Sequence, residues 1–486
     1  MLSVLLIMVI VFIMVFSLIP RDNIFFQDTA IAKLRSKPDQ LLEYKLDKWQ
    51  RLGYLEYHTL GNYCALRYEI GSAEIMECAA GNTSDKDEFI AEYTAKNFTV
   101  QTLVESKNPI AYRDLPMVQR IFTWLKKIIV IDNPWAVKDA NNTELKRNIS
   151  VGTTPTGGLA IKCSGCTHKY LLYTDTDFPF IHQNIIGFDL GQSYPQYSGL
   201  DVLTVIFQEQ GSGVQRDVTY ETGSTGSSAI NFGTCKYKPT LDKMEMSKFS
   251  DHYADCASHK DTPSMVATSF IMGIFALILA YGIGLPVGLA MAKGKEGLVD
   301  KLGMVYIIFI ISVPSLAYIC IFRYIGTKFI GLPTVFSTYG PSDIRSWILP
   351  VISLALPSIA SLMLWTRRYV ADQMNSDYVK FARAKGLNER EIFYDHVLKN
   401  ASIPIVHGIP SSLAGCITGA IITEKFYAVG GMGKMLPDAI TNYNNSMIVA
   451  LTFMFSSISV LSVFAGDVLL TWVDPRIQLA EKEGRS

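Results

Sequence analysis

Oily runs and charged loops alternate through the last two-fifths of this chain, one further oily run opens it, and a long polar stretch lies between. A helix rises about 1.5 Å per residue, so about 20 mostly apolar residues cover the hydrocarbon core of a bilayer. Six stretches meet that length: Leu2–Ile19, Ser264–Met291, Leu302–Phe322, Trp347–Trp365, Ile403–Ile422 and Met447–Val473. The fourth is expected to stop at the pair Arg367-Arg368. Pro286, Pro314, Pro350, Pro357 and Pro410 fall in or near these runs. Membrane helices tolerate such breaks where neighbouring helices satisfy the freed backbone groups. The first run lacks a basic leading region and an A-x-A site, so it is expected to be an anchor, not a cleaved signal peptide.

Basic residues orient the spans. The loops after the second and fourth runs and the tail hold Lys293, Lys295, Lys301, Arg367, Arg368, Lys380, Arg383, Lys385, Arg390, Lys399, Arg476, Lys482 and Arg485. The opposite loops hold only Arg323, Lys328, Arg345, Lys425 and Lys434. Lys and Arg accumulate on the cytoplasmic side. Both termini of this cell-membrane protein are then expected in the cytoplasm, with residues 21–263 outside the cell.

That outer stretch is long enough for a domain with its own core. Alternating positions at Tyr170–Tyr173 and Val202–Phe207 predict strands. Pro116–Ile131 reads as an amphipathic helix with Val118, Phe122, Leu125, Ile128 and Ile129 on one face. With turns at Gly157-Gly158, Gly211-Ser212-Gly213 and Thr222–Ser228, the expectation is an α+β domain. It holds Cys64, Cys78, Cys163, Cys166, Cys235 and Cys256, an even count that suits disulfides outside the cytoplasm. Free thiols, or a zinc site at Cys163-x-x-Cys166 with His168, remain alternatives. Cys320 and Cys416 fall in spans as packing residues. Asn82, Asn97, Asn141 and Asn148 fit the glycosylation acceptor pattern, which arises by chance in Asn-rich loops.

Composition removes several function classes. The 486 residues carry 44 basic and 44 acidic side chains, so no basic excess points to nucleic acid. Gly430–Met435 imitates a phosphate loop, but Ala428 stands at its first glycine and Met435 where Ser or Thr would hold Mg²⁺. It reads as a tight turn. No metal-ligand pairing of His and no nucleophile motif occurs, so the chain is not expected to be an enzyme. Asp467 and Glu424 lie near span ends, and His407 near the start of the fifth span reads as a packed or hydrated residue.

The segment from Asp377 to Pro404 carries the most information. It is cytoplasmic by the charge count and too polar to span. Tyr378–Lys385 reads as a short helix stopped by Gly386, and Asn388 as the cap of a second helix with Glu389 and Glu391 in its first turn. Val397 and Leu398 supply the apolar face. Two short helices about a glycine make a knob that a soluble partner can grip.

This segment, YVKFARAKGLNEREIFYDHVLKNASIPIV, resembles the cytoplasmic coupling loop of membrane subunits in bacterial ABC importers, most closely the dipeptide and oligopeptide permeases. Lys380, Phe381 and Ala382 stand at that loop's EAA place, Gly386 at its glycine, and Asn400 to Pro404 at its exit. Asp467 with Asp474-Pro475-Arg476, the run EKFYAVGGMG from Glu424, and Phe188–Ser193 with Val202-Leu203 resemble three further stretches of the same permeases. The long outer insertion is similar to the Opp/Ami type of Gram-positive bacteria.

The resemblance implies a type I ABC importer fold: an all-α polytopic membrane protein of six spans with an inserted extracellular α+β domain. The divisions are then residues 1–20, 21–263, 264–475 (coupling loop 371–402) and a tail, 476–486. It implies an ATPase-coupling site of Lys380, Phe381, Ala382, Arg383, Ala384, Lys385, Gly386, Glu389 and Asn400. It also implies a homologous permease subunit, two cytoplasmic ATPases that bind the ATP and Mg²⁺, and an external lipoprotein that delivers peptide. Dipeptide, haem, nickel or pheromone are rival cargoes, and a membrane-anchored receptor or adhesion protein is the rival class. The substrate-binding residues are not legible.

Overall fold

A computed structural model describes residues 2–473 except 69–71, 82–83, 132–136, 138–145, 155–156, 175–180, 208–215, 229–230, 260–262 and 337–342. Asp474-Pro475-Arg476, the tail and the Gly211–Gly213 turn lie outside the described residues.

The apolar runs fold as helices. They are α1 (Leu2–Leu18), α4 (Met265–Lys293), α5 (Leu298–Ser312), α6 (Ser315–Ile325), α7 (Ile344–Met374), α9 (Lys399–Thr418) and α11 (Asn445–Val473). Three short helices also matter here: α8 (Asp377–Ala384), α10 (Ile421–Tyr427) and, in the polar stretch, α3 (Val202–Phe207). The six expected spans are met unevenly. Four helical stretches, containing α4, α7, α9 and α11, are long and apolar enough to cross a bilayer. The third run is broken at Pro314, where α5 and α6 meet at 113°. Proline lacks the N–H that would continue the ladder, and its ring disfavours a helical residue before it. Accordingly Val313 is extended. The 17 residues of α1 are apolar but fall short of the length of those four stretches.

The helix of the fourth run extends past Arg367-Arg368. α7 continues to Met374, because Arg367 finds a partner: its Nε and Nη2 donate to Asp300 Oδ1 and Oδ2 at 2.5 and 2.8 Å. A forked pair with a carboxylate on α5 lets the charged residue stay helical at the end of the bundle.

α7 forms the centre of the bundle against α4, with Ala276, Ala280, Ala355 and Ala360 buried between larger apolar side chains. α4 meets α9 where a Cβ on Gly273 would lie 2.5 Å from Cys416 Cβ, so only glycine permits that approach. Beside it, a cavity of about 240 Å³ is lined by Ser269, Met272, Gly273, Ser412, Gly415 and Cys416, among others.

The intervening stretch mixes helices with small antiparallel sheets. β1 (Leu55–Thr59), β2 (Thr99–Thr102) and β3 (Pro109–Asp114) pair in the order β1-β3-β2. β4 (Ile129–Ile131) pairs with β9 (Ile186–Phe188), Ile129 facing Phe188 and Ile131 facing Ile186. β5 (Asn148–Thr153), β6 (Leu159–Ser164), β7 (Tyr170–Thr174) and β8 (Ile181–Gln183) form a meander. β10 (Arg216–Thr219) pairs with β11 (Thr225–Ser228), and β12 (Asn231–Tyr237) with β13 (Tyr253–His259).

Two expectations need correction here. Val202–Phe207 is the helix α3, not a strand. A short apolar run has no period that separates the two forms. The Asp201 carboxylate accepts the Leu203 N–H, and burial of Val202, Val205 and Ile206 at helical spacing settles it. The second correction concerns α2 (Met117–Lys127), which ends before β4. Val118 and Phe122 are exposed, while Met117, Ile121, Trp124 and Leu125 pack inward and Ile128 is buried. The face is turned because Arg120 is buried, its guanidinium stacked on Phe16 and Tyr54 and its Nε donating to the Gly53 carbonyl.

Cys64 is bonded to Cys78 and Cys163 to Cys166. Cys235 is also disulfide-bonded, and the side chain of Cys256 lies outside the described residues. Cys320 and Cys416 are free.

Candidate functional site: the knob between α7 and α9

α7 ends at Asn375, and Asp377 opens α8 with Ser376 extended before it. Val379 and Ala382 face inward, onto Val370, Ile392, Phe393, Val397 and Ala401. Lys380, Phe381, Arg383, Ala384 and Lys385 are left exposed around the outside. An exposed phenylalanine ringed by cations is what a groove on a soluble partner can grip.

α8 closes on Gly386 at φ +85°. The Gly386 N–H donates to Arg383 O at 3.0 Å and the Leu387 N–H to Ala382 O at 3.3 Å. This pair of bonds with a left-handed residue is the Schellman arrangement, and Leu387 packs back against the cluster as that motif requires. Asn388 Oδ1 then accepts the Glu391 N–H at 2.8 Å and starts the next helix. Arg383 bridges the turn to Glu389, with Nε to Oε1 at 2.6 Å and Nη2 to Oε2 at 3.1 Å. The Arg383 guanidinium holds the Glu389 carboxyl below its usual range. Both groups are exposed, so the pair orients the turn more than it stabilises the fold.

The second helix differs from expectation in one respect. Ile392–Leu398 is wound as a wider π turn that runs without a break into α9, with Asn400 half-buried in its first turn. The extra residue swings Phe393 and Tyr394 toward Lys293, whose Nζ lies 3.8 Å and 4.8 Å from the two ring centroids. Lys293 is the last residue of α4. The knob is thus joined to α4, α7 and α9 at once.

The structure brings the predicted residues 380–386 and Glu389 into one protrusion, and it adds a buried carboxylate and a partly exposed His–Asp contact between helices. Glu424 is fully buried in α10. Its Oε1 accepts the Ser269 hydroxyl at 2.8 Å and the Ala420 N–H at 3.0 Å, and its Oε2 the Lys434 N–H at 3.3 Å. Ser269 in turn accepts the Met432 N–H at 2.7 Å. One carboxylate therefore ties the turn 428–434 to α4. His407 Nε2 lies 3.2 Å from Asp467 Oδ1, linking α9 to α11. Both positions were legible only as isolated polar letters, since their partners are far away in sequence. No group of three or more His, Cys, Asp or Glu able to hold a metal occurs among the described residues.

Residues 284–479 match the model of the binding-protein-dependent transport system inner membrane component. The chain is 37% identical over 486 residues to the oligopeptide transport system permease protein AmiC of Streptococcus pneumoniae, covering 99% of this chain and 97% of that one. The chain belongs to the oligopeptide permease family of ABC importers. It is a multi-pass membrane protein with the helical permease fold of that family. A dipeptide permease, DppB of Lactococcus lactis subsp. cremoris, is 32% identical over 212 residues, 43% of this chain and 69% of its own. The inward-facing MetNI methionine ABC transporter is similar over 43% of this chain and 94% of its own, at 15% identity and a TM-score of 0.34.

Proposed function

We propose that this permease forms one half of a six-span-per-subunit pore that imports oligopeptides, with residues 21–263 outside the cell and the knob at Gly386 inside. The observation that carries the reading is the end-to-end similarity to a protein named as an oligopeptide permease. A homologous subunit completes the pore, two cytoplasmic ATPases bind ATP and Mg²⁺, and an external lipoprotein delivers peptide. The chain itself performs no chemistry.

Coupling follows from the packing. ATPase closure moves the knob, and the knob is rooted in α4, α7 and α9 through Lys293, Val370 and Ala401. A displacement at Phe381 therefore rotates those helices together, the kind of rigid-body rocking that alternating access requires. At the far end, Glu424 holds the 428–434 turn on α4, so the outer end of the bundle follows the same helix.

The test is reconstitution. The purified chain alone should neither bind nor hydrolyse ATP, and with both ATPases and the second permease it should support peptide-stimulated hydrolysis. Stoichiometric nucleotide binding by the isolated subunit would overturn the assignment.

A further inference from the structure

α2 descends along α1. Arg120 lies over Phe16, and Trp124, one turn on, packs against Phe12 at 6.0 Å and Phe453 at 6.2 Å. From Phe453 to Val473, α11 has about 20 residues left, about 30 Å of helix and the thickness of a bilayer core. Trp124 therefore sits at the outer boundary of the hydrocarbon, the depth that interfacial tryptophans favour. Beyond it the chain runs through Ile128, buried against the α1–α11 cluster, straight into β4.

β4 and β9 carry apolar side chains on both faces. Ile129, Val130, Ile131, Ile186 and Phe188 are 41–67% exposed, and Val118 and Phe122 on α2 are 64% and 60% exposed. A water-facing ribbon of this composition would be an aggregation site. The ribbon follows directly on α2, which lies along α1, and on α1 Leu6, Ile10, Ile13 and Met14 are exposed as well. Lys126 and Lys127 are exposed at the end of α2, placed for anionic headgroups.

We infer that α2 and the β4–β9 ribbon are embedded in the outer leaflet and hold residues 21–263 against the membrane by contact with lipid acyl chains. A two-stranded ribbon keeps open backbone edges, which the hydrocarbon centre does not tolerate, so the ribbon lies at the headgroup–acyl boundary where water still reaches them. The inference rests on the outward placement of residues 21–263 proposed above.

The test uses the assembled transporter in nanodiscs containing radiolabelled phosphatidylglycerol. p-Benzoylphenylalanine replaces Phe188 in one variant and Ile131 in another, and irradiation follows. The inference expects radiolabel on this chain from both sites. A covalent adduct with the second permease subunit instead, or no lipid adduct from either site, overturns it. Outward placement is read separately by Met244→Cys, in a background with Cys320 and Cys416 replaced by Ala, treated in whole cells with a membrane-impermeant maleimide. Labelling at Met244 without lipid adducts defeats the lipid contact alone, whereas absence of labelling defeats the topology on which it stands.

Discussion

Replacing Gly386 by Val perturbs one backbone position and little else. A Cβ at Gly386 meets no heavy atom within 4 Å, so no collision adds to the cost. The penalty comes from φ +85°, a region that costs an ordinary L-residue about 1–2 kcal/mol and a β-branched one up to about 3 kcal/mol. To escape it the turn must give up the Gly386 and Leu387 bonds to Arg383 and Ala382, which breaks the Schellman closure and releases the Arg383–Glu389 bridge. A coupling free energy of about 1–3 kcal/mol corresponds to roughly 5- to 150-fold in a binding equilibrium. The added side chain at Gly386 meets none of the packed groups of the spans or of the sheets in residues 55–259, so membrane abundance should stay normal. Peptide uptake and capture of the ATPases by the tagged permease should both fall by that factor. Gly386→Asn, which tolerates the left-handed region, should fall least and Gly386→Ala should lie between. Full uptake and capture by Gly386→Val at normal abundance would refute the coupling role of the knob.

Three further outcomes follow from the buried and bridged groups. Glu424→Gln turns an amide N–H₂ toward groups that already donate, so it should lower the thermal midpoint of the purified transporter through about 1–3 kcal/mol per unsatisfied donor; an unchanged midpoint would show that the carboxylate is dispensable. Burial pushes the Asp28 carboxyl up, but the Tyr194 and Tyr44 hydroxyls, the Ala30 N–H and nearby Lys48 together hold it below its ordinary value. A depressed carboxyl stabilises above its unfolded pKa of about 3.9 and loses that contribution as pH falls through the folded value. Wild type should therefore exceed Asp28→Asn in stability at pH 7 and converge with it in acid; a pH-independent gap would contradict the account. Alkylation under denaturing, non-reducing conditions should label Cys320 and Cys416, and the double variant Cys64→Ala/Cys78→Ala should lose about 3 kcal/mol in the unit that holds the bridge, the loop-closure value for a bridge of this span; labelling of all eight thiols would exclude the bridges.

What could be read before the structure was local. Gly386 and Asn388 declare a helix stop and start because glycine and asparagine do so by their own backbone and side-chain chemistry, and the structure gives +85° and a cap at 2.8 Å. The apolar runs declare helices for the same reason. What could not be read depended on distant partners. Arg367 looks like an unpaired charge until Asp300 is placed beside it. Val118 and Phe122 look like a core face until Arg120 is found buried against Phe16 and Tyr54, which rotates the helix. Val202–Phe207 fits a strand or a helix equally until Asp201 supplies a cap. Glu424 is one acidic letter near a span end, and only the fold shows it holding Ser269, Ala420 and Lys434 together.

The central claim is that this chain is the membrane route for oligopeptides, and uptake measures it directly. A strain deleted for this gene alone, with the second permease, both ATPases and the binding protein intact, is given a radiolabelled oligopeptide, then complemented with the wild-type chain or with Gly386→Val. The account predicts no accumulation in the deletion strain, full accumulation with the wild-type chain and sharply reduced accumulation with the variant. Undiminished uptake by the deletion strain, with no other peptide permease present, would contradict it.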